Sequence, residues 1–127
     1  MADSDKHFEL AVELSRDALK ALLIVNGGAA TALIALMDKT DAKHNYASAV
    51  ICFAAGAVSA VICYCLGYFS QLSYANHRLL IEHGQNNEAA RSHLCHNIFQ
   101  GLAIAFVTLT LVAMVLGILV AAHLASL

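Results

Sequence analysis

Four of the seven histidines in this chain of 127 residues, His77, His83, His93 and His96, fall in one short stretch with Arg78 and Arg91. Imidazoles gathered in this way could hold a metal ion or make the stretch sensitive to pH. A metal site would want thiolates or carboxylates at set spacings, and the stretch has no H-E-x-x-H, while Cys52, Cys63, Cys65 and Cys95 form no C-x-x-C pair. No metal and no cofactor is therefore expected, and the cysteines read as apolar thiols. The other residue with chemistry is Asn26, set beside Gly27 and Gly28 inside the apolar run LLIVNGGAATALIAL, residues 22–36. It lies six residues past Lys20, about 9 Å along a helix, so its amide sits below the headgroups and must find partners. Two readings stand: a hydrogen bond across to a neighbouring helix, or exposure to a water-filled axis in an oligomer.

The elements that carry these residues follow from where charge is missing. Composition is 60% apolar with 13% charged residues, no Pro and no Trp, and no Asp, Glu, Lys or Arg occurs between 21 and 37, 44 and 77, or 92 and 127. A helix crosses the hydrocarbon with about 20 apolar residues. Three spans are thus predicted, near 20–37, 47–69 and 99–122, in one domain covering residues 1–127. The fold class is all-α: an integral membrane three-helix bundle with long helices projecting into the cytoplasm.

The helices outrun the membrane. Phe8, Ala11, Val12, Ala18, Leu19 and Leu22 recur at helical spacing opposite Glu9, Glu13, Arg16, Asp17 and Lys20, so an amphipathic N-terminal helix capped by Ser4 runs into span 1 and ends near Met37. The loop DKTDAKHN follows. Helices over about 45–83 and 88–125 meet at the turn signal GQNN, making a helical hairpin whose tip, about 71–98, stands in the cytoplasm. Antiparallel arms place His77, Arg78 and His93 at one height, where protonated imidazoles would repel and loosen the layer. The acidic N-terminus is not a signal peptide.

Helices in lipid associate by close packing of small residues. Gly28 with Ala32, Gly27 with Thr31, Gly56 with Ala60, and the row Gly101, Ala105, Ala113, Gly117 supply such faces, so Asn26, Gly27, Gly28, Thr31, Gly56, Gly101 and Gly117 are the candidate pore or packing residues. Five Lys and Arg (Lys6, Arg16, Lys20, Arg78, Arg91) against two (Lys39, Lys43) predict the N-terminus in the cytoplasm and the C-terminus outside, in an inner (plasma) membrane.

RLLIEH (Arg78 to His83) and RSHLCH (Arg91 to His96) both read R-x4-H. With a helical hairpin beside membrane spans, this resembles the divergent HEPN-like membrane proteins that accompany some type VI-B CRISPR effectors. The resemblance implies an oligomeric pore in the bacterial inner membrane, an antiviral defence role, a partner effector protein, and a motif carried first by Arg91 and His96 and second by Arg78 and His83. Read as residues, each Arg and His of a pair stand about 140° apart on a helix. No nucleophile, metal box, phosphate loop or basic aromatic surface is present, and the formal charge is −2. The expectation is a homo-oligomeric channel or membrane-perturbing effector in contact with lipid, neither an enzyme nor a direct nucleic-acid binder. The alternative is a membrane anchor or accessory subunit of a respiratory-type complex; its haem would want a proximal His within the bundle, and His123 lies near the far end of its span.

Overall fold

A computed structural model of the chain describes the backbone of residues 2–39 and 46–125 and the side chains of 12–38 and 46–124. Three helices account for nearly all of this: α1 (Ala2–Lys39), α2 (Ala47–Glu82) and α3 (Asn86–Ala125). Each contains 18-residue windows of high mean hydropathy, 1.8, 2.3 and 2.7 in chain order, and is long and apolar enough to cross a membrane. The chain is a membrane protein. Residues 40–45, most of the expected DKTDAKHN loop, lie outside the described residues.

Helix α1 starts at Ala2, so Ser4 is inside the helix and does not cap it. Nothing between Ala2 and Ser4 breaks a helix, and terminal turns need no side-chain cap when water can meet their N–H groups. The hairpin turn is tighter than the four residues of GQNN. Gly84, at φ +72, ends α2 with its N–H on the Ile81 carbonyl at 3.0 Å, while the Gln85 N–H reaches back to Leu80 at 2.9 Å. This pair of bonds is a Schellman closure, and it needs a left-handed residue where Gly stands. Gln85 then accepts the first bond of α3, from the Ala89 N–H, and Glu88 places negative charge in the first turn, where the helix dipole favours it.

Helix α2 is the centre of the bundle. It packs along α3 for its whole length and along α1 on another face, and α1 and α3 scarcely meet. Both partners run antiparallel to it. Cys63 donates to the Ala103 carbonyl at 3.2 Å, Ser70 bonds His96, and Phe53 meets Gly117, which fixes the α2–α3 register from turn to far end. Asn26 meets Gly56 across the α1–α2 seam. The start of α1 and the hairpin turn therefore share one end of the molecule.

The core is thin and made of small residues: Ala30, Ala49, Ala60, Cys63, Ala113 and, as its large member, Phe53 at 4% exposure. Ile24, Ile34, Ile51, Ile104 and Leu119 face outward, as they would toward lipid tails. Apolar burial drives little association there, because the tails are as apolar as the side chains. Contact density does the holding, and small residues let backbones approach.

Candidate functional site

Two places gather the residues singled out above. The first is in the membrane. Asn26 is 0% exposed, and its Nδ2 donates to the Leu22 carbonyl of its own helix at 2.9 Å. From sequence, a bond to a neighbouring helix or a wet oligomer axis is expected for this amide. The bond is instead intrahelical, because a short amide in mid-helix can reach back one turn to the i−4 carbonyl, and the side chain is enclosed between α1 and α2. Its Oδ1 is buried without a hydrogen-bond partner. The group that faces it is the Gly56 methylene: a Cβ built there would come within 2.5 Å of Oδ1. A glycine Cα–H is a weak donor of the kind found where helices approach closely, and it leaves this oxygen under-satisfied.

The same device recurs on the other side of α2. A Cβ on Gly117 would lie 2.9 Å from the Phe53 ring, so the ring occupies the notch that the glycine leaves. Phe53 was not singled out from the sequence, where one aromatic in an apolar run carries no signal. Ser59 and Thr110 add buried hydroxyls near these notches, and Thr110 bonds the Phe106 carbonyl of its own helix at 2.9 Å.

Gly27, Gly28 and Gly101 are placed differently. A Cβ on any of them would meet nothing within 4 Å, and Thr31 bonds the Gly27 carbonyl of its own turn at 2.9 Å. On α1 the face with Asn26 and Ala30 turns inward, and Gly28, Thr31, Ala32 and Ala35 form an exposed stripe on the other side. Two small-residue faces thus exist on one span, one used within the chain and one open.

The second place is the hairpin. His77, His93, His96 and Tyr74 form a closed quartet of rings, with centroid separations of 5.0 Å (His77 to His93), 6.2 Å (His93 to His96), 5.2 Å (His96 to Tyr74) and 6.3 Å (Tyr74 to His77). Two of these imidazoles are tied to backbone across the seam. His77 Nδ1 lies 2.8 Å from the Ala89 carbonyl and His96 Nδ1 2.9 Å from the Ser70 carbonyl. A carbonyl only accepts, so each Nδ1 carries a proton. The Ser70 hydroxyl is 2.8 Å from the same His96 Nδ1 and donates to the His96 carbonyl at 3.3 Å. Serine and histidine at this distance resemble a nucleophile and its base. The roles are reversed here, since the imidazole nitrogen beside the hydroxyl is a donor and has no lone pair to take its proton. The pair is a clasp between helices.

The two R-x4-H segments are spread around this seam, as their spacing requires. Arg91 lines an open groove of about 700 Å³ on one flank, with Ser73, Asn76, Glu88, Ser92 and Cys95, while His96 is in the Ser70 clasp toward the other flank. Arg78 and His83 are exposed, and His83 Nδ1 is 2.8 Å from the Leu79 carbonyl of its own helix. Among the described residues no group of three or more His, Cys, Asp or Glu is placed to hold a metal ion. Sequence reasoning missed Ser70 and Ser92, which close the seam through Ser70 to the His96 carbonyl at 3.3 Å, Ser92 to the Ser73 carbonyl at 2.8 Å and Asn76 to Ser92 at 3.2 Å. Counting outward from Gly84 along both arms would have found them within a turn of their partners. No protein-family model, curated protein or solved structure matches the chain.

Proposed function

We propose that the protein acts as a homo-oligomer that opens a channel or otherwise perturbs the membrane, with the outward stripe of α1 as a contact between copies. The observation that carries this reading is that stripe. Gly28, Thr31, Ala32 and Ala35 are exposed in a span whose opposite face already packs on α2, and Gly28 has open space where a Cβ would be. Lipid tails gain little from a glycine notch, whereas a second helix can lie close in it. A prokaryotic antiviral role beside a partner effector is the biological setting that the R-x4-H resemblance suggests.

The test is the mass of the detergent-solubilised protein, by light scattering, together with conductance across a planar bilayer. Expected are a ring of several copies, discrete current steps, and loss of both in Gly28→Leu while membrane insertion persists. A monomer that conducts nothing would remove the channel reading and leave that of an anchor.

A further inference from the structure

A third feature lies in neither place. Between α1, α2 and α3 a groove of about 450 Å³ is lined by Arg16 and Leu19 from α1, Tyr64, Gly67, Tyr68 and Gln71 from α2, and Gln100 from α3. Its size is that of a small-molecule site. Its chemistry is graded along its length. Arg16, Gln71 and Gln100 stand within about a turn of the hairpin-side ends of the three predicted spans, near 20, 69 and 99, which is the membrane surface on that side. From Gln71 to Tyr64 the groove descends seven residues, about 10 Å, into the apolar layer. There it is floored by Gly67, where a Cβ would meet nothing within 4 Å, and walled by Leu19 and the two phenol rings.

A cation and two amides above an apolar slot at this depth fit a phosphate joined to hydrocarbon. The neighbours of Arg16 narrow the choice. Glu13 and Asp17 hold its guanidinium at 3.8 and 4.0 Å, long contacts between exposed side chains that are weak enough to yield to a phosphate. They also set two carboxylates beside the phosphate position, hostile to a head group with no positive charge and suited to one ending in a primary ammonium, whose N–H groups can donate to both where a quaternary nitrogen has none. We infer that this groove binds a membrane phospholipid whose head group carries a primary amine, with its phosphodiester on Arg16 and the Gln71 and Gln100 amides, its ammonium toward Glu13 and Asp17, and an acyl chain over Gly67.

The experiment offers the detergent-solubilised full-length chain an equal mixture of phosphatidylethanolamine, phosphatidylcholine and phosphatidylglycerol with identical chains, and reads retained lipid by native mass spectrometry. Glycerophosphoethanolamine in a parallel arm supplies the head group without tails. The amine lipid should be retained about fivefold over either competitor, with about fivefold loss in Arg16→Gln, the scale of one basic side chain at a membrane surface. Gly67→Leu should abolish retention by filling the slot, and the pair Glu13→Gln with Asp17→Asn should move the preference to phosphatidylglycerol. If Gly67→Leu does not fold, the exposed Arg16, Glu13 and Asp17 variants decide alone. Equal retention of the three lipids, no change in Arg16→Gln, or displacement of lipid by equimolar glycerophosphoethanolamine would each overturn the assignment.

Discussion

The α2–α3 pair is one continuous antiparallel contact held by two kinds of chemistry. In the membrane half it is mainly shape, with the Phe53 ring in the Gly117 notch, beside the α1–α2 counterpart of Asn26 over Gly56, and the weak Cys63 thiol bond to the Ala103 carbonyl added to it. In the hairpin half it is side chain to backbone hydrogen bonding, by His77 to Ala89, His96 to Ser70 and Ser92 to Ser73. The difference follows from the solvent. Lipid offers no hydrophobic gain for helix pairing but punishes a poor fit, so steric complementarity decides. In water the narrow hairpin seam buries little, with Ala89 and Ser70 its buried residues among those described, and directional bonds set the register at a net of about 1 kcal/mol each.

That contrast can be broken most severely at Gly117. Gly117→Leu forces Phe53 out of its notch and should cost about 3 kcal/mol, the upper end for overpacking. Reversible unfolding in mixed micelles measures it, and Phe53→Ala should restore part of the loss in the double variant. An unchanged unfolding midpoint would mean the notch is not under compression.

Gly56→Ala tests the smaller notch. Its methyl would strike Asn26 Oδ1, and about 1 to 2 kcal/mol of destabilisation is expected. The loss should vanish in an Asn26→Ala background, where the obstructing amide is gone. If it persists there, the obstruction lies in the backbones and the role given to Asn26 is wrong.

At the hairpin, His96→Leu removes the bond to the Ser70 carbonyl, while the Ser70 hydroxyl keeps the backbone carbonyl of residue 96 as its acceptor. Because the layer is wet, the cost should stay near 1 kcal/mol and be local. Hydrogen exchange should accelerate in residues 68–98 and stay unchanged in 50–62. Acceleration throughout α2 would show that the halves are not independent.

The smallest effect is expected at Arg78. It is exposed, and Arg78→Gln should shift stability by less than about 0.5 kcal/mol. A larger loss would reveal a partner for this guanidinium and sharpen the distinction between the motif residues that merely face solvent and those that clasp the seam.

Much of the architecture is legible in the sequence, for a physical reason. Charge is excluded from hydrocarbon and backbone groups there must bond within their own helix, so the long charge-free windows could be read as spans directly. The hairpin was legible because Gly84 is the residue that tolerates the left-handed closure. Helix ends were less so: α1 begins before Ser4, since a water-exposed helix start is not set by one side chain.

What the sequence by itself determined is therefore the set of elements, their number, and which residue types could let helices meet. Gly28, Gly56, Gly101 and Gly117 look alike in sequence, each a glycine in an apolar run. The tertiary structure alone decided that Gly56 and Gly117 receive Asn26 and Phe53 while Gly28 and Gly101 stay open, and that Asn26 bonds its own helix. Rotation of each helix about its axis chooses the face, and that angle comes from fitting all three surfaces at once. No local spacing contains it.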